Sequence, residues 1–166
     1  MSVATITEAR QYLTFKLGEE VYALDVAKVR EILEVTGITR VPQTPGYMRG
    51  VINLRGSVVP VMDLRLKFGM AETAQTVNTC IIVVEVELDG ETLVVGALAD
   101  SVQEVFDLEP EQIEPPPRIG TRLKTDFIKG VGCREGILLM ILDIDRIFSS
   151  DDLVQTVEAM EQAACN

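Results

Sequence analysis

Histidine is absent from all 166 residues. That removes Ser-His-Asp and Cys-His nucleophilic chemistry, histidine acid–base catalysis and every histidine-ligated metal site. The chain also has no Gly-x-x-x-x-Gly-Lys-Ser/Thr phosphate loop and no Gly-x-Gly-x-x-Gly turn behind a strand. Long apolar runs are missing too. The longest, Ile137 to Leu142, is far short of the roughly 20 residues a spanning helix needs. The polar stretch Met1 to Arg10 carries no apolar core of an export signal, so a cytoplasmic protein without membrane insertion is expected. Between Phe68 and Pro117 there is no Lys or Arg, while that segment holds eleven acids; the remainder is balanced, so the net charge of −11 lies in the middle of the chain. Such a distribution argues against nucleic acid, whose phosphates need a basic footprint. It fits a solvated face or a surface that steers a basic partner. Cysteine is scarce and odd in number. Cys80 and Cys133 sit in apolar, strand-like runs and are expected to be buried, reduced thiols, and Cys165 an exposed one.

Carboxylates are the remaining candidates for chemistry, and the nearest pair is Asp143 with Asp145. Asp143 follows an apolar run and precedes Ile144 to Phe148, which suits a helix cap better than a metal or acid–base role; Asp63 precedes Leu64 to Phe68 in the same way. The sequence therefore points to a binding protein with no metal or cofactor, and a carboxylate-dependent enzyme is the distant alternative.

What is present is a repeat. Residues 47–64 read YMRGVINLRGSVVPVMDL, and residues 127–144, at an ungapped offset of 80, read FIKGVGCREGILLMILDI. Gly50, Val51, Gly56 and Asp63 recur as Gly130, Val131, Gly136 and Asp143. VREI at 29–32 resembles VQEV at 102–105, and Val41-Pro42 falls near Glu114-Pro115, both at an offset of 73. The pattern indicates an ancient duplication. Alternation predicts strands over 11–17, 20–24, 50–54 and 57–62 in the first half, with an extended stretch over 34–41. In the second half it predicts strands over 79–88, 91–98, 102–108, 127–133 and 136–142. Asp25 is placed to cap a short helix running to Glu31 or Ile32, residues 71–77 connect the halves, and 151–166 reads as an amphipathic α-helix. Five short strands per half fit a small closed barrel.

Gly50 to Phe68, preceded by Thr44-Pro45-Gly46, resembles the CheW-type chemotaxis coupling proteins, as do YALDVAKVREI at 22–32 and ADSVQEVFDLEPEQIEPPP at 99–117. The resemblance covers roughly 11–148, and Asn53-Leu54-Arg55-Gly56 is its most specific piece. It implies a mainly β fold of two tandem SH3-like five-stranded barrels with short helical turns, in one domain over 11–150. The barrels are expected over roughly 11–70 and 78–148, after a tail at 1–10. It also implies an adaptor between the cytoplasmic tips of methyl-accepting chemoreceptors and the regulatory domain of the histidine kinase CheA, recruited to membrane receptor arrays. By the family pattern, Val26, Val29, Glu31, Arg55 and Val102 face the receptor, and Ile113, Glu114, Arg118 and Ile119 face the kinase. From spacing alone, Val26, Val29 and Ile32 could as well be core residues, Arg55 a solvated turn residue, and the 113–119 loop a stiff connector. A coupler of a related pathway with the same receptor-and-kinase architecture is the nearer alternative.

Overall fold

Two hairpins announced by the repeat set the architecture. Arg55 and Gly56 have φ of 51° and 87°, and Glu135 and Gly136 have 53° and 80°. Two successive positive φ values make the type I′ turn whose twist matches the strands it joins, and glycine takes the second position at no steric cost. The computed structural model describes residues 10–35, 37–88, 90–115 and 127–148. These form β1 (Arg10–Leu17), β2 (Glu20–Asp25), β3 (Val29–Glu34), β4 (Met48–Leu54), β5 (Ser57–Asp63), β6 (Cys80–Leu88), β7 (Glu91–Ala99), β8 (Ser101–Leu108), β9 (Ile113–Glu114), β10 (Ile128–Arg134) and β11 (Ile137–Leu142). Single helical turns α1 (Leu64–Lys67) and α2 (Ile144–Ile147) follow β5 and β11. The expected C-terminal helix over 151–166 lies outside the described residues.

The chain is mainly β and folds into two sheets, consistent with tandem SH3-like barrels. One sheet has the order β3-β6-β7-β5-β4 and the other β8-β1-β2-β11-β10-β9. The duplication holds residue by residue. Met48↔Met62, Gly50↔Val61 and Leu54↔Ser57 in one hairpin become Ile128↔Leu142, Gly130↔Ile141 and Arg134↔Ile137 in the other, with the same register shift after the first pair. Asp63 N donates to Tyr47 O at 2.7 Å, and Asp143 N to Phe127 O at 2.8 Å. Thr39 bridges Val51 where Glu114 pairs Val131. That makes Thr39, rather than Val41, the equivalent of Glu114 in the repeat.

The sheets do not follow the halves of the sequence. Hairpin β6-β7 completes the sheet of β3, β4 and β5, pairing β3 antiparallel and β5 in parallel, while hairpin β1-β2 joins β8 and β11 in the same manner. Each half, 11–70 and 78–148, thus lends its first hairpin to the other's sheet. We call the sheet containing β3–β7 the first barrel and the other the second barrel. Each has its own core, around Ile52, Val61, Ile81 and Val83 in the first and Tyr12, Ala23, Leu139 and Ile141 in the second. A third, larger core lies between them and draws Phe15, Tyr22 and Leu24 from one sheet, Ile82, Val84 and Val95 from the other, Ile144 and Ile147 from α2, and Phe148 just after it. Removing side chains of this size from water contributes about 1.5–3 kcal/mol each, so the barrels are held by burial as well as by chain crossing.

Two clasps sit where the chain crosses. Arg65 of α1 meets Asp100 at 2.6 Å, and Asp100 also accepts from Gly18 N at 2.7 Å. Asp145 of α2 meets Lys28 at 3.0 Å and accepts from Glu87 N at 2.8 Å. Positions 65 and 145 are 80 apart, so the duplication kept the clasp while reversing its charges.

Three expectations are corrected. The helix after Asp25 is one 3₁₀ turn, Val26–Lys28, which Asp25 caps through Ala27 N at 2.9 Å; the chain then enters β3. Val29 and Ile32 are β-branched and pair with Val84 and Ile82, and this non-local ladder wins over local helical spacing. The stretch 34–41 is a strand only as far as Glu34, with Thr39 alone bridging β4. Cys133 is exposed rather than buried, because it stands near the hairpin end opposite exposed Leu138; Cys80 is buried, as expected. The two caps differ as well. Asp63 is fully buried and accepts from Arg65 N, Thr73 N, Thr73 Oγ1 and Arg49 Nη1 at 2.6–3.1 Å, tying the 71–77 connection to the first barrel. Such a fully satisfied buried charge is the tolerable kind. Asp143 flanks α2 without a side-chain cap bond.

Candidate functional site

At the tip of the β4–β5 hairpin, Arg55 forms a two-pronged pair with Glu31 of β3, Nη1 to Oε2 at 2.7 Å and Nη2 to Oε1 at 2.8 Å. The Arg55 side chain is 72% exposed and that of Glu31 26%. The hydrogen bonds from Arg55 hold the Glu31 carboxyl below its ordinary range, and the same contact raises the Arg55 guanidinium. An exposed pair of this kind contributes only about 0–1 kcal/mol to folding. Its physical effect is orientation, because two parallel bonds fix the plane of the guanidinium fork.

The pair forms one wall of an open cleft of about 460 Å³. Leu54, Val58, Pro60 and Leu93 supply its apolar lining, with Arg30 beside Glu31. Val58 is 53% exposed. These lining residues were not singled out from sequence, although a signal existed. Val59 and Val61 are core in a period-two strand, so Val58 and Pro60 share the other face, where Val58 is exposed and Pro60 is covered.

The remaining candidates lie on the 3₁₀ turn, on β3 and on β8 of the other sheet. Val26, Val29 and Val102 are half-buried and pack against the core shared by the two barrels. Val29 and Val102 occupy matching places in the duplication, opposite Val84 and Phe15 respectively. Arg55 and Glu31 therefore meet directly, whereas the three valines are gathered by the inter-barrel core. Of the other group, Ile113 is half-buried against the second barrel's core and pairs Gly132, and exposed Glu114 pairs Val131. Arg118 and Ile119 lie outside the described residues.

Among the described residues no group of three or more acidic or cysteine side chains could hold a metal. The buried thiol of Cys80 is pushed up by desolvation, and the Tyr22 hydroxyl is pushed up to about 12 by burial and by Glu20. Both stay protonated at neutral pH, inside the core. No helix among the described residues is long and apolar enough to cross a membrane.

Comparison with known proteins agrees with this geometry. A family model described as the CheW-like domain matches residues 11–152. The chain is 37% identical over 147 residues to the chemotaxis protein CheW of Klebsiella aerogenes, covering 89% of this chain and 86% of that one. It is 34% identical to the CheW of Rhizobium meliloti, covering 86% and 90%. The crystal structure of the scaffolding protein TtCheW from Thermoanaerobacter tengcongensis superposes with a TM-score of 0.76 at 33% identity, covering 86% of this chain and 90% of that one.

Proposed function

We propose that this chain, which belongs to the CheW-like family of chemotaxis scaffold proteins, couples the cytoplasmic tips of chemoreceptors to the regulatory domain of the histidine kinase CheA and catalyses nothing itself. The observation that carries the reading is the exposed Arg55–Glu31 pair beside an open apolar cleft. The fork contributes little to folding, yet it presents a fixed, charged edge next to Val58 and Pro60. That combination of polar rim and apolar floor is what protein interfaces use. In this reading Val26, Val29, Glu31, Arg55 and Val102 meet the receptor, and the loop from Ile113 and Glu114 to Arg118 and Ile119 meets the kinase. The protein then works in the cytoplasm and reaches the membrane only through receptor arrays. The absence of histidine and of phosphate-binding loops supports a role without chemistry.

The test is assembly. A receptor-tip fragment, the kinase regulatory domain and this protein, mixed and resolved by size-exclusion chromatography, should give a ternary complex that neither pair containing only this protein accounts for. Failure to retain either partner contradicts the reading.

A further inference from the structure

The register of the two sheets lets the cleft on the first barrel be compared with its counterpart on the second. Positions 55 and 58 map to Glu135 and Leu138, 80 residues on, because every pair of the two hairpins keeps that offset. Glu31 maps to Glu104 through β3 and β8, and Leu93 to Glu20 through the parallel pairs Val61↔Gly96 and Ile141↔Ala23.

The apolar floor is kept only in part: Val58 becomes Leu138 and Pro60 becomes Met140, while Leu54 becomes Arg134 and Leu93 becomes Glu20. Leu138 is 64% exposed and Ile137 49%, and exposed Cys133 pairs with Leu138 across the hairpin. The charges are not retained. Where the first barrel has a neutralised Arg–Glu fork, the second has two carboxylates, Glu104 and Glu135, and Glu20 adds a third in place of a leucine. All three are exposed, and none has an ion-pair partner among the described residues. Arg134, the base next to this tip, is already engaged, with its guanidinium over the Phe106 ring at 4.5 Å and a bond to Asp107 O at 3.0 Å.

We infer that this face of the second barrel is a docking surface for a protein segment that presents apolar side chains flanked by lysine or arginine. Leu138 supplies the apolar contact that such a segment covers, with Cys133 beside it across the hairpin, and the three carboxylates supply the charge it neutralises. Exposed carboxylates with no cation among the described residues to pair with favour a partner that brings one. A second copy of this chain is a poor occupant, since each copy carries a net charge of −11. The inference stands apart from the coupling reading, because it uses none of the residues assigned there.

The experiment titrates the full-length isotope-labelled protein with a synthetic peptide of alternating lysine and leucine, followed by NMR. An alternating glutamate–leucine peptide of the same length is the control. The inference expects shifts concentrated at residues 20, 104 and 133–138 with the lysine peptide alone. Leu138→Asp should weaken binding by roughly tenfold. Glu135→Gln, an exposed turn substitution that leaves the core untouched, should weaken it less and flatten its salt dependence. Glu91→Gln on the first barrel should leave it unchanged. Shifts spread evenly over the acidic segment, or unchanged affinity in Leu138→Asp, would overturn the inference. So would peptide-free, concentration-dependent broadening at the same residues, which would make a second copy the occupant.

Discussion

Arg55 is the residue at which backbone and side chain serve one end. The I′ turn puts it at a φ of 51°, a conformation that non-glycine residues adopt reluctantly, and from there its fork reaches Glu31 on β3. The pH dependence of this contact follows from its sign. Glu31 is held below its ordinary value, so the charged pair is fully formed above that value and is lost only as pH falls through the lowered one. Receptor binding is therefore expected to be flat from neutral pH down to 4.5, the ordinary glutamate value, and to weaken only below it. Affinity measured across that range checks this, and a loss of binding already near pH 6 would show that another group controls the site. Sequence alone could name Arg55 only through family resemblance, since a charged hairpin tip is by itself an ordinary solvated turn. Cys133 shows the opposite limit: its apolar neighbours in sequence suggested burial, but a strand's outer face near a hairpin end is open.

At the scale of elements, the paired hairpins were legible because the offset of 80 preserved the glycines and aspartates that their backbones require. Gly50 is the most constrained of them. Its φ is +139°, and a Cβ there would lie 2.1 Å from the carbonyl oxygen of Thr39. At Gly130, a Cβ would meet the Cγ2 methyl of Ile113 at 2.8 Å and Glu114 O at 3.0 Å, without the positive φ of Gly50. Gly50→Ala should thus cost roughly 3 kcal/mol or more and Gly130→Ala about 1–2 kcal/mol. Thermal or denaturant unfolding of the two variants measures the difference, and equal losses would mean that the two close approaches are not as distinct as they stand. The 3₁₀ turn at Val26–Lys28 was not legible, because Val26, Val29 and Ile32 fit a helical face as well as a strand. What decided between them was β6, more than 45 residues away.

The whole molecule is held together by an exchange that no local pattern could reveal. Each sheet needs a hairpin from the other half of the sequence, and the largest core belongs to both. Fragments cut within the 71–77 connection should therefore stay unfolded separately and assemble on mixing, as circular dichroism would record. A fragment that folds cooperatively alone would contradict the exchange. The same interlocking gives the coupling surface a rigid base, so a change at the Arg55 tip should be felt in binding rather than in folding. Losing an oriented contact at an interface centre costs about 2 kcal/mol, roughly a thirtyfold weaker complex. The most direct measurement is the Arg55→Ala protein, melted to confirm its fold and then titrated separately against a receptor tip and the kinase regulatory domain. The account expects an unchanged melting temperature, a loss of that size toward the receptor and near-normal binding to the kinase domain. Receptor affinity equal to that of the unmodified protein, or an equal loss toward both partners, would contradict it.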